Sequence, residues 1–280
     1  LSKRTRRLPR FLTRMDTDEF LMSFHKVKIF ARSNQRFFVF LFLLWVVSCT
    51  YTPWHRQQSD IFLNKGISYL DTGQYANALK ELLEAEKYYS GNPKVHYFLA
   101  MAYQGKGLKD RAIEELQKAI DLDENYSEAH NYLGTLYSDR KEWDRAIREF
   151  EKALANPLYE TPSLALYNMG WAYYGKKDYG AALLKYQEAL RLDPMTTLRP
   201  QIEKNIGFIY LDQNFTAEAI RHLKKAVELD PALVDAHFLL GESYLKIKDN
   251  KNAKLSFQEV VKLAPDSYFG ARAKAYLKSL

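Results

Sequence analysis

Cys49 is the one thiol in a chain of 280 residues, and with six histidines it makes up the short list of side chains that could do more than pack. A thiolate is a nucleophile and a soft metal ligand, and an imidazole is a general base or a metal ligand near neutral pH. Both need partners, and the sequence places none beside them. His96, His130 and His237 each fall four residues before a small residue of a recurring pattern, so they sit in separate repeats and are expected to pack rather than to ligate. His25 lies in the N-terminal segment, and His55 and His222 have no partner motif. No Gly-rich phosphate loop, GxSxG, HExxH or Cys/His cluster occurs. An enzyme, a metal site, a cofactor and a small-molecule substrate are therefore not expected. With a single cysteine, the chain cannot close an internal disulfide.

The elements around Cys49 say more. Residues 37–47 are eleven uninterrupted apolar residues, short of the roughly 20 that a membrane-spanning helix needs but suited to the apolar core of a secretory signal. Val46-Val47-Ser48-Cys49 then resembles the bacterial lipobox, in which the cysteine is acylated and the peptide bond before it is cut. That resemblance implies lipidation at Cys49 and a membrane anchor. Each buried methylene contributes about 0.8 kcal/mol, so more than one chain holds firmly. Thr50, where an Asp would imply retention in the inner membrane, implies export to the outer membrane, on its periplasmic side. A start at Met22 gives a signal over residues 22–48, with 1–21 as an over-extended start and 49–58 as a lipidated tether.

The formal charge of +7 comes from this leader. Residues 1–36 carry ten Lys/Arg against three acids, and residues 50–280 balance 31 bases with 31 acids. Lys176-Lys177 and Lys224-Lys225 stand near Asp178, Glu218 and Glu228, so a nucleic-acid surface is not expected.

The body repeats one motif six times. Gly66, Ala100, Gly134, Gly170, Gly207 and Gly241 are each followed three residues later by Tyr. Twelve residues later comes Ala78, Ala112, Ala146, Ala182, Ala219 or Ala253, and sixteen later a Leu, Phe or Tyr. The steps are 34, 34, 36, 37 and 34 residues. The pattern resembles the tetratricopeptide repeat, which implies an all-α, right-handed α-solenoid of six helix–turn–helix units. Their spans are 59–92, 93–126, 127–162, 163–199, 200–233 and 234–265, with a capping helix over 266–280. Small residues let two helices approach, and overpacking there costs about 1–3 kcal/mol. The extra residues of the two long steps fall between helices, where they are expected to lengthen loops and leave packing intact.

In such a solenoid the first helices line the concave side, and positions three before, one after and four after the small residue point into it. They supply Leu63, Ile67, Leu70, Tyr97, Met101, Asn131, Tyr167, Trp171, Tyr174, Lys204, Phe208, Leu211 and Phe238. This strip is expected to stand open for a hydrophobic partner segment, either an amphipathic helix or an edge strand. The clamp that reads a terminal carboxylate is disfavoured, because Leu63, Tyr97 and Tyr167 occupy its places. Signal, lipobox and six repeats with nothing else attached resemble the type IV pilus pilotins. That likeness implies a non-catalytic outer-membrane lipoprotein that binds secretin subunits and escorts them to multimer assembly. The alternative is an envelope scaffold for cell-wall enzymes or outer-membrane protein assembly.

Overall fold

The computed structural model describes residues 52–280; Cys49, the apolar run and the basic arm lie outside the described residues. Of the described residues, 52–58 fall in one unit and 59–280 in a second. Within the first, the Thr52 hydroxyl meets His55 Nδ1 at 2.7 Å. The second carries the solenoid, and among the described residues every regular element is helical. The helices are α1 (Pro53–Asp71), α2 (Tyr75–Tyr88), α3 (Pro93–Gly105), α4 (Lys109–Leu122), α5 (Ser127–Asp139), α6 (Trp143–Ala155), α7 (Pro162–Gly175), α8 (Tyr179–Leu192), α9 (Arg199–Asp212), α10 (Thr216–Leu229), α11 (Val234–Lys246), α12 (Asn250–Leu263) and α13 (Tyr268–Ser279). Consecutive pairs from α1/α2 to α11/α12 form six hairpins, and α13 closes the last. No helix of the described residues is long and apolar enough to cross a membrane.

Local chemistry sets where each helix starts and stops. Pro93 and Pro162 open α3 and α7, where the missing N–H has no intrahelical partner in any case. Asp178, Asp249 and Ser267 cap α8, α12 and α13 by accepting from the backbone N–H of Ala181, Asn252 and Gly270. Inside each hairpin the turn is the same one. The Tyr three residues after the small residue lends its carbonyl to an N–H five residues on: Gln74 to Tyr69, Leu108 to Tyr103, Glu142 to Tyr137, Asp178 to Tyr173, Phe215 to Tyr210 and Asp249 to Tyr244. This helix stop needs a left-handed residue just before the donor. Gly73 and Gly107 supply it in the first two repeats, but Lys141, Lys177, Asn214 and Lys248 adopt φ of 60–64° in the others.

The hairpins close on the small residues. A β-carbon at Gly134 would lie 2.6 Å from Phe150, at Gly170 2.8 Å from Tyr186 and at Gly241 2.6 Å from Phe257. Leu82 and Leu223 lie against Gly66 and Gly207 in the same way. Ala78, Ala112, Ala146, Ala182, Ala219 and Ala253 are fully buried beside these contacts. Each large side chain so buried contributes roughly 1.5–3 kcal/mol.

A second rule joins neighbouring repeats. The residue nine after the small one meets the residue five after it in the next repeat: the Tyr75 ring lies on Gly105, Lys109 pairs with Asp139, the Trp143 ring lies on Gly175 and Tyr179 donates to Asp212. The extra residues of the two long steps lie between helices, and one of them makes a packing contact of its own. In the connection from α6 to α7, one of the two lengthened ones, Tyr159 folds back and is buried against Ala153 and Ala165.

Two stability changes follow. Gly134→Val should cost about 1–3 kcal/mol, since the buried Phe150 ring has nowhere to go. Lys141→Gly should gain about 0.5–1 kcal/mol by removing left-handed strain from a residue with a β-carbon. Thermal midpoints of the purified variants check both, and equal midpoints for either would contradict the packing described.

Candidate functional site: the inner face of the repeats

The first helices of the hairpins line the inner face, and their residues enclose two neighbouring hollows. The larger, of about 490 Å³, lies over α7, α9, α11 and α13 and is walled by Tyr167, Trp171, Phe208, Leu239, Phe238 and Phe269. Trp171 and Tyr174 stack with ring centroids 5.3 Å apart, and Tyr174 lies 5.3 Å from Phe208. The charges in this hollow pair with one another. Lys204 Nζ lies 2.8 Å from Asp235, Arg272 lies 2.8 Å from Glu242, and the Arg272 guanidinium covers the Phe238 ring at 4.7 Å. Asn205, buried at the floor, donates to the Tyr167 and Tyr186 hydroxyls at 3.3 and 3.2 Å. What the hollow offers a guest is therefore apolar area with its polar groups already satisfied.

The smaller hollow, of about 360 Å³, lies over α3, α5 and α7 and is lined by Tyr97, Met101, Glu128, Asn131, Tyr132, Thr135, Tyr159, Thr161, Leu164 and Asn168. Asn168, which also lines the larger one, donates to Asn131 at 3.1 Å. The two spaces thus share a wall.

The structure sorts the thirteen expected groove residues. Tyr167, Trp171, Lys204, Phe208 and Phe238 meet in the larger hollow, and Tyr97, Met101 and Asn131 in the smaller. Tyr174 joins the larger through its stack on Trp171, while Leu211 borders a further hollow with Phe208 and Leu245. Ile67, Leu70 and Leu63 stay with the core of the first two repeats. Four of the thirteen are not open wall, as expected from sequence, but buried: Leu63, Asn131, Leu211 and Phe238. The first helix of the following unit covers them, as Asn168 on α7 covers Asn131 and Phe269 on α13 covers Phe238 at 5.1 Å between rings. Trp171, one residue after its glycine, escapes that cover and is 42% exposed.

Sequence spacing missed several residues. Tyr159 comes from the long loop, and Phe269 and Arg272 come from α13, which has no register in the six-fold pattern. Asn168 and Asn205 each lie two residues before a glycine, a repetition that was legible. His222 does have a partner. Its Nδ1 donates to Glu203 at 2.7 Å, as His96 Nδ1 does to Glu115 and His130 Nδ1 to Glu149. All three pairs are separated by 19 residues, with the order of acid and base reversed in the fifth repeat, so a search at that interval finds them.

These pairs also explain how a charged layer survives within the hairpins. Nε2 of His96 and of His130 donates to the carbonyls of Ser90 and Glu124. With both nitrogens donating, the His96 ring is an imidazolium. In His222 the Arg221 guanidinium donates to Nε2 instead. Burial opposes the charge on His96, but the hydrogen bonds to Glu115 and Ser90 outweigh it and raise its proton affinity. Burial likewise disfavours the carboxylates of Glu115, Glu149 and Glu203, and hydrogen bonds from the paired His and from Lys118, Lys152 and Lys225 outweigh it, so all three stay below the usual range. Glu86 completes a trio with His96 and Glu115 whose ligand atoms lie within 4.8 Å of one another. Lys118, 2.9 Å from Glu115 and 4.0 Å from Glu86, holds the place a cation would take.

Tetratricopeptide-repeat models match residues 63–130, 115–148, 163–195 and 235–267, and a TPR repeat model matches 207–248. The chain is a tetratricopeptide repeat protein. It is 30% identical over 96 residues to BBSome complex member BBS4 of Bos taurus, covering 34% of this chain and 18% of that one. Photosystem I assembly protein Ycf3 of Chaetosphaeridium globosum is 28% identical over 128 residues, covering 40% of this chain and 75% of that one. Among solved structures, PilW, described as a widely conserved type IV pilus biogenesis factor, superposes with a TM-score of 0.71 at 21% identity over 77% of this chain and 98% of its own. The Pseudomonas aeruginosa pilF structure gives 0.68 at 19% identity, over 79% and 99%. At these identities the two share the fold, which for this repeat is that of a protein-interaction scaffold.

The buried pairs set the pH response. His96 binds its proton more tightly when folded, so its contribution is complete below its ordinary value of 6.5 and is lost as pH rises through the higher folded value. The three glutamates act oppositely: their contribution is complete above the ordinary 4.5 and is lost as pH falls through the lower folded values. Thermal midpoints should therefore peak on the mildly acidic side and fall toward pH 8.5, and His96→Asn should flatten the alkaline limb. A midpoint indifferent to pH between 6 and 8.5 would contradict the imidazolium assignment.

Proposed function

We propose that this repeat scaffold is a lipid-anchored adaptor on the periplasmic side of the outer membrane, binding secretin subunits and escorting them to multimer assembly in type IV pilus biogenesis. The lipobox-like Val46-Val47-Ser48-Cys49 supports the anchor, and the near full-length superposition on PilW and PilF supports the setting. Confinement at a membrane raises the effective concentration of a bound subunit for its neighbours, so an adaptor can promote assembly without any chemistry.

The observation that carries the reading is Trp171, which stands 42% exposed at the rim of the larger hollow with Tyr174 and Phe208 behind it. Large aromatic side chains at the mouth of a concavity are the usual anchors of a protein interface. Because Lys204 and Arg272 are already paired, the guest gains most from apolar side chains entering the space, which suits a hydrophobic segment of a subunit awaiting assembly.

Trp171→Glu places a charge where that segment would sit, while the residue's exposure leaves the fold intact. Secretin multimers on gels and twitching motility should fall at least about tenfold, the scale of losing one hot-spot residue, with unchanged thermal midpoint and palmitate labelling at Cys49. Unchanged multimers and motility would sink the groove as the secretin site.

A further inference from the structure

The smaller hollow differs in kind from the larger. The charges of the larger are internally paired, whereas Glu128 on the wall of the smaller has no ion-pair partner among the described residues. It lies in the first turn of α5. Around it are phenol rings. Tyr97 lies 6.1 Å from Tyr132 and 5.3 Å from Tyr126, and Tyr159 closes the space from the long loop. Burial first, and the Glu128 charge after it, hold the Tyr97 phenol above its ordinary proton affinity, and burial followed by Tyr97 and then Glu128 does the same for Tyr126, so both stay neutral and offer π faces. The Tyr159 hydroxyl is buried; Thr161 stands beside it but does not complete a hydrogen bond. A carboxylate without an ion-pair partner and ring faces together make the chemistry that recognises a cation.

We propose that this hollow takes one basic side chain of the partner segment, its charged head against Glu128 and the Tyr97 and Tyr132 rings. This deepens the reading of the inner face as a partner groove and rests on it. Since Asn168 walls both hollows, the basic residue lies next to the apolar anchor on one continuous segment. The guest is thereby specified as a Lys or Arg close to a large apolar residue, a pattern that a purely hydrophobic helix does not present.

The probes are N-acetyl-arginine amide and N-acetyl-lysine amide, with N-acetyl-norleucine amide as the neutral control of similar length, titrated into the soluble repeat unit with NMR detection of tyrosine rings. The cationic probes should shift Tyr97, Tyr132 and Tyr159 in the millimolar range, and bind about tenfold more weakly to Glu128→Gln and in high salt. Tyr132→Leu should weaken them without salt dependence of that loss, which separates the ring contribution from the charge. Norleucine amide binding as well as the cations, or Glu128→Gln binding as the native chain does, would overturn the subsite. Secretin capture that survives Glu128→Gln unchanged also counts against it while leaving the adaptor reading standing. Cation binding at Tyr97 and Tyr132 in a protein that does not associate with secretin has the opposite meaning: the subsite stands and the adaptor reading falls.

Discussion

The large side chain sixteen residues after each glycine lies directly on a helix backbone that has no side chain to hold it off, and this contact sets the spacing on which the inner face depends. Phe150 on Gly134, Tyr186 on Gly170 and Phe257 on Gly241 bring the two helices of a hairpin close. The seam residues then fix how one hairpin leans on the next, alternating ring-on-glycine contacts with polar ones. Tyr75 and Trp143 need a glycine opposite, while Lys109 and Tyr179 need a carboxylate. The result is a row of first helices whose residue after each small one is half-buried in five repeats and exposed in the fourth, at Trp171. Register alone does not expose Trp171, since the equivalent residues of the other repeats are half-buried; its exposure is particular to α7.

From this spacing the inner face acquires two environments. Over the last three hairpins and α13, bases and acids cancel and rings are left over. Over the third hairpin, an acid is left over among rings. The division comes from two features that break the repeat: the long connection that delivers Tyr159, and the capping helix that delivers Arg272 and Phe269. A perfectly regular array would offer the same surface six times, so specificity here resides in the departures.

That is also why the architecture was far more legible in the sequence than the site. Six recurrences of Gly or Ala, Tyr, Ala and a large apolar residue leave one solution for the hairpins, and the solved relatives share it. Position within a repeat says which way a side chain points, but not what lies above it. Phe238 points inward as its register demands, yet α13 covers it, and nothing in the pattern describes where α13 packs. Asn131 is covered by an asparagine 37 residues away whose own role is set by an insertion. The histidine pairs are the converse case: their spacing is strictly periodic and was available, but it relates a first helix to a second one and so escapes any comparison confined to one helix face.

The central claim is that the inner face, and not the outer one, holds the partner. Replacing Trp171 with a photo-reactive benzoylphenylalanine, and in a separate variant replacing the exposed Leu184 of the outer helix α8, tests it in living cells. Illumination should link secretin to position 171 and leave position 184 unlinked. Equal capture from both positions, or capture from 184 alone, would contradict the account.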